Sequence, residues 1–190
     1  MPDIVVVTGV PGVGASRVCQ RARQELGDEF TLVNFGDVML EEALEHGLAT
    51  SRDALADLPF RDQRTLQRRA GEYVTRKARE GPLLVNTHLV VQTADGFRPG
   101  FPPAVRADVD ASVLVVVDAP TEAIARRREE SERSYPGAGP STIAFYQQLQ
   151  SAAALTYSTE TDAPVQHVAN DDDVETAAAE LVAIADGVTR

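Results

Sequence analysis

The amino-acid sequence predicts a three-layer α/β domain, with a parallel sheet covered on both faces by helices. Three observations lead there. The short aliphatic runs are continuously apolar instead of alternating, which marks strands buried on both sides. Stretches with helical periodicity separate them, and strands alternating with helices build parallel sheets. The first run also passes straight into a glycine-rich turn and then an amphipathic stretch, the order of strand, loop and helix that forms anion sites in α/β proteins.

Taken in order, strands are expected at 4–7, 30–33, 83–85, 113–117 and 165–168. A helix over 61–80 would bury a stripe of Leu66, Ala70, Tyr73, Val74 and Lys77, with arginines elsewhere. A second over 172–187 would bury Val174, Ala178, Leu181 and Ala185, and Asp171, Asp172 and Asp173 suit its positive amino-terminal end. Residues 93–103 carry too much Gly and Pro for a regular element to be expected. Residues 134–140, again rich in Gly and Pro, read as an excursion after an Arg/Glu-rich helix. Both stretches follow a strand closely, so both are expected at the carboxyl edge of the sheet, where open α/β sheets bind ligands.

A length of 190 residues suits one domain spanning 1–190. Acidic residues number 29 against 18 basic ones, a net charge of −11, and Lys77 is the only lysine. Such a surface repels nucleic acid and anionic membranes, so neither is expected as a partner. An acidic excess almost without lysine also suits solubility in concentrated salt, the reading of a halophilic protein. The lone Cys19 excludes a disulfide framework and a Cys-based zinc site, and three dispersed histidines argue against a His-based one. No apolar run approaches the ~20 residues of a membrane span, and the first residues lack a basic leader, so a soluble cytoplasmic protein is expected.

The strongest motif is Gly9-Val10-Pro11-Gly12-Val13-Gly14-Ala15-Ser16, which matches G-x-x-x-x-G-x-[ST]. Glycines let successive backbone N–H groups curl around a phosphate, and the following helix adds its unpaired amides. Ser16 is the candidate ligand for the Mg²⁺ that bridges nucleotide phosphates. The motif departs at Ala15, where a lysine is usual, so some other cation must serve. Arg17 adjoins the loop but on a neighbouring helical bearing, and the later arginines are the better candidates.

The second strand runs into Asn34-Phe35-Gly36-Asp37-Val38-Met39, either the floor of a second nucleotide pocket or a turn capped by Asp37 with Phe35 and Met39 in the core. The third ends in Asn86-Thr87-His88, placing an uncharged residue where an acid commonly orients Mg²⁺. Asp118, ending the fourth strand, is an alternative carboxylate for the metal. Arg126, Arg127, Arg128 and Arg133 flank the second Gly/Pro excursion, as phosphate clamps or as a solvated face paired with Glu129, Glu130 and Glu132.

In order, Gly9–Gly14, Val33-Asn34-Phe35-Gly36, Arg52-Asp53, Thr87-His88 with Gly96-Phe97-Arg98-Pro99-Gly100-Phe101-Pro102, and Ile124-Ala125-Arg126-Arg127 resemble the archaeal-type adenylate kinases, nearly end to end. The resemblance implies a P-loop kinase fold with a five-stranded parallel sheet and a short lid around 128–141. It further implies ATP and AMP as substrates, Mg²⁺ dependence and a homotrimer. Carried over residue by residue, Gly9, Val10, Pro11, Gly12, Val13, Gly14, Ala15 and Ser16 hold the ATP phosphates. Asn34, Phe35, Gly36, Met39, Arg52, Arg64 and His88 stand on the AMP side. Arg126, Arg127 and Arg133 close on the phosphates as catalytic groups. The sequence departs from the family at Asn86 and at Tyr135. Competing readings are a kinase for another nucleoside monophosphate, and a nucleotide-binding assembly factor with weak transfer.

Overall fold

A computed structural model describes residues 3–93, 95–131, 135 and 139–189. Five strands form one parallel sheet: β1 (Ile4–Thr8), β2 (Thr31–Asn34), β3 (Leu83–Thr87), β6 (Val113–Asp118) and β7 (Val165–Ala169), in the order β2-β3-β1-β6-β7. The runs expected from sequence all fall within a residue or two of these strands. β1 lies in the middle, with Val6 opposite Val85 of β3 and Leu114 of β6, and all five of its residues are buried.

The pleat sends alternate residues to opposite faces, and each face meets its own helices. Val5, Val7, Val113, Val115 and Val117 pack with Val18, Cys19 and Ala22 of α1 (Ala15–Leu26) and with Ala177, Ala178 and Leu181 of α8 (Val174–Val188). Ile4, Val6, Leu83, Val85, Leu114 and Val116 face the other way. They pack on Ala70 and Val74 of α4 (Phe60–Ala78), Val105 of α5 (Pro103–Asp108), and Ala154 and Tyr157 of α7 (Pro140–Thr161). Helices α2 (Phe35–Glu45) and α3 (Arg52–Ala56) follow β2, and α6 (Thr121–Glu129) follows β6.

Three expectations are corrected. Residues 93–103 are largely regular: β4 (Val90–Thr93) pairs antiparallel with β5 (Gly96–Pro99), and α5 starts at Pro103. The prolines fit because Pro99 ends its strand and Pro103 sits at the first helical position, where an amide proton is not needed. Lys77 leaves the buried stripe of α4 to pair with Glu80, and Ala78 takes the inward position. Asp37 does not cap α2, which begins earlier, after Asn34; Asp37 instead pairs with Arg52. At α8, Asp173 does act as the cap, accepting from the amides of Glu175 and Thr176 at 3.1 and 3.2 Å.

Candidate active site

Everything the sheet presents at its carboxyl edge converges on the loop between β1 and α1. Gly12 and Gly14 adopt φ of +90° and +93°, a conformation that L side chains resist, and this curls the chain back on itself. The outward carbonyls of the loop are each tied down from outside. The carbonyl of Gly9 lies 2.7 Å from His88 Nδ1, and that of Pro11 accepts from Arg128 Nε at 2.8 Å. The carbonyl of Val13 accepts from Asn170 Nδ2 at 2.8 Å and from Arg127 Nη1 at 2.9 Å. These bonds fix the carbonyls of Gly9, Pro11 and Val13, and the amide of Val13 closes the turn on the carbonyl of Val10 at 3.0 Å, so the loop is held in the curled form that an anion cup requires.

His88 is held by a buried network behind it. Thr8 Oγ1 at the end of β1 donates to Gln150 Oε1 at 2.9 Å and accepts from the amide of Leu89 at 3.1 Å. Gln150 Nε2 reaches the carbonyl of Val90 at 2.8 Å, so α7 fixes the end, at Leu89 and Val90, of the turn that carries His88.

Two clefts meet here, sharing Ser16 and His88. One, of about 520 Å³, is walled by residues 10–12 and 14–16 of the loop together with Arg17, Arg127, Tyr135, Asn170 and Asp172. The other, of about 370 Å³, is walled by Asn34, Phe35, Gly36, Met39, Arg52 and by Val91, Gln92 and Thr93 of β4. Phe35 is buried and packs edge-on against Phe101, with ring centroids 4.9 Å apart. A Cβ on Gly36 would run into the Arg52 guanidinium, so glycine leaves Arg52 room beside the second cleft.

The remaining expected residues are placed as follows. Arg126 and Arg127 both reach Asp172, at 2.6 and 2.8 Å, and only Arg127 lines a cleft. These two arginines hold the Asp172 carboxyl below its usual range. Arg64 does not line the second cleft. It donates to Gln67, which does, and lies over the Phe60 ring at 4.7 Å, with Arg98 over the same ring at 5.0 Å. Arg133 and much of the expected lid lie outside the described residues. Asp118 lines neither cleft; it pairs with His167 at 2.8 Å across adjacent strands.

For a metal, the structure offers the Ser16 hydroxyl, which accepts from Asn86 Nδ2 at 2.9 Å, while the same amide donates to Asn34 Oδ1 at 3.0 Å. A hydroxyl with a free lone pair beside a phosphate cup fits Mg²⁺, which keeps several waters and takes most other ligands from substrate phosphates. Sequence reasoning missed Asn170, Gln63, Gln67 and Gln92 as site residues. Asn170 was the most accessible of these, since it directly follows a strand at the ligand-binding edge.

A family model described as an AAA domain matches residues 8–144. The chain is 37% identical to the adenylate kinase of Pyrococcus furiosus over 98% of its length and 96% of that protein's. It is 38% identical to the adenylate kinase of Methanopyrus kandleri over 96% of its length and 97% of that protein's. The chain belongs to the archaeal-type adenylate kinases. Among solved structures, shikimate kinase from Bacteroides thetaiotaomicron is similar at a TM-score of 0.58 and 14% identity, covering 97% of this chain and 98% of that one. A Deinococcus radiodurans tunicamycin resistance protein is similar at a TM-score of 0.63 and 13% identity, covering 97% of this chain and 95% of that one. These likenesses establish the fold of this adenylate kinase family member as that of P-loop kinases. No helix among the described residues is long and apolar enough to cross a membrane.

Proposed function

We propose that this chain transfers the terminal phosphoryl group of ATP to AMP, giving two ADP. The observation that carries the reading is the pair of clefts meeting at Ser16 and His88, one walled by the phosphate loop and one by the Phe35–Gly36 turn. An oxygen of the AMP phosphate bonds to the γ-phosphorus as the bond to the bridging oxygen breaks, and the electron pair departs on ADP. The attacking oxygen is already ionised, so no general base is needed and catalysis lies in positioning and charge.

In this reading the backbone of the loop Gly9–Ser16 cradles the ATP phosphates, and Ser16 would hold the Mg²⁺, which would neutralise charge on them. Asn34, Phe35, Gly36 and Met39 receive AMP, with Arg52 and His88 on its side and Arg64 acting there through Gln67. Arg126, Arg127 and Arg133 act on the transferring phosphates. The 190 residues work as one domain, with a lid around 128–141 that excludes water so that transfer outruns hydrolysis. A homotrimer follows the family resemblance, and the cytoplasm is where both nucleotides are pooled. A surface of net charge −11 with a single lysine supports work at high salt, where screening also eases the approach of anionic substrates.

A coupled assay with ATP and each nucleoside monophosphate, run across KCl concentrations, tests this. ADP formation that requires AMP is the expected result. Transfer to a different base, or ATP binding without transfer, would replace the reading. Adenylate kinase relatives matching almost the whole chain favour neither alternative.

A further inference from the structure

The loop lacks its usual lysine, and the structure sets a different cation behind it. Arg128 is 5% exposed, and among the described residues it is the only charged side chain in the interior. Its neighbours Arg126 and Arg127 share Asp172, whereas Arg128 takes part in no ion pair among the described residues. Its Nε donates to the carbonyl of Pro11 at 2.8 Å, and its guanidinium lies 5.1 Å from the centroid of the Tyr135 ring. A Cβ on Gly12 would collide with the Arg128 side chain at 2.8 Å, so the glycine lets loop and arginine close on each other. Pro11, Gly12 and Tyr135 all line the cleft assigned to ATP.

A buried guanidinium without a carboxylate is costly unless a nearby anion offsets it; Arg128 does not itself line the cleft, but the loop residues it touches do. We infer that Arg128 is a positioning residue that supplies, through the loop it braces, the positive charge absent at Ala15, and that the triphosphate of ATP is the anion that balances it. This rests on the ATP reading above. Burial also lowers the Arg128 pKa, in keeping with a charge held out of water until a phosphate arrives. Because the same guanidinium packs against Tyr135, the filled loop is linked to the segment that follows α6.

Calorimetric titration of Mg²⁺ and ATP into wild type, Arg128→Gln, Arg128→Lys and the double variant Ala15→Lys/Arg128→Gln tests this, with AMP titration and thermal unfolding alongside. Arg128→Gln is expected to weaken ATP binding by about tenfold, the order of one charge-assisted hydrogen bond, and to leave AMP binding within about twofold. The added lysine at position 15 is expected to restore most of the loss, which a merely structural arginine would not allow. If Arg128→Gln does not fold, Arg128→Lys carries the test, retaining ATP affinity within a few-fold. ATP binding unchanged in Arg128→Gln, or a loss that Ala15→Lys leaves in place, overturns the inference. Wild type that takes up no ATP overturns the ATP reading itself, and this inference with it.

Discussion

Arg127 donates to the carbonyl of Val13 at 2.9 Å and, through its other terminal nitrogen, to the carbonyl of Asn170 at 2.8 Å. An arginine expected to swing onto phosphates is thus already part of the frame that shapes the loop beneath them. A purely closing arginine would affect turnover far more than ATP affinity. The observed contacts predict that Arg127→Met weakens ATP binding by about tenfold, on the order of 1.5 kcal/mol for a hydrogen bond from a charged donor, and lowers kcat as well. Calorimetry and steady-state kinetics on the same preparation separate the two outcomes.

Gly14 combines a φ of +93° with contact against Asn170, whose amide a Cβ would strike. Gly14→Ala is expected to cost on the order of 1–3 kcal/mol for the strained backbone alone and to displace the Asn170 bond to Val13. Thermal unfolding should show the first effect and loss of ATP binding the second.

The carboxyl of Asp172 is held below its ordinary range by hydrogen bonds from Arg126 and then Arg127. A depressed folded pKa contributes stability that is fully present above the unfolded value near ~3.9 and is lost as pH falls through the lower folded value. Asp172→Asn should therefore lower Tm at pH 7, and the gap from wild type should close as the solution is taken below the usual carboxylate range. A gap that stays constant with pH would contradict this ion pair.

Asn86 donates both amide protons, to Ser16 and Asn34, and brings no charge to the metal side. Asn86→Asp should lower the Mg²⁺ concentration needed for half-maximal activity by roughly tenfold, near the low end of the ~1.5–3 kcal/mol typical of a hydrogen bond to a charged group. An unchanged Mg²⁺ requirement would show that the strand-end side chain acts only by bracing Ser16.

Cys19 is fully buried in α1, and burial pushes its thiol up to about 12. The thiolate is the nucleophile, so iodoacetamide at pH 8 should leave the folded protein unmodified and label it only on unfolding. Mass spectrometry with and without denaturant reads this directly.

The parallel sheet, its two helical layers and the phosphate loop follow from local information: apolar runs such as 4–7 and 113–117 can be buried only between helices, and the glycine spacing of the loop is itself the conformational requirement. The β4–β5 hairpin escaped because Gly96 and Pro99 weaken a strand locally, and only pairing with Val90 and Thr93 compensates. Local bonds such as the Asp173 cap could be read from sequence, but the distant partners of the site's polar side chains were decided by tertiary structure. Asp37 turned from a helix cap to an ion pair with Arg52, and Arg126–Arg128, adjacent in sequence, divided their hydrogen bonds among Asp172, Val13, Asn170 and Pro11. Backbone preference acts within a few residues, but a guanidinium chooses its partner from whatever carbonyls and carboxylates the packed sheet brings within 3 Å, and residues more than a hundred positions apart meet only once the sheet has assembled.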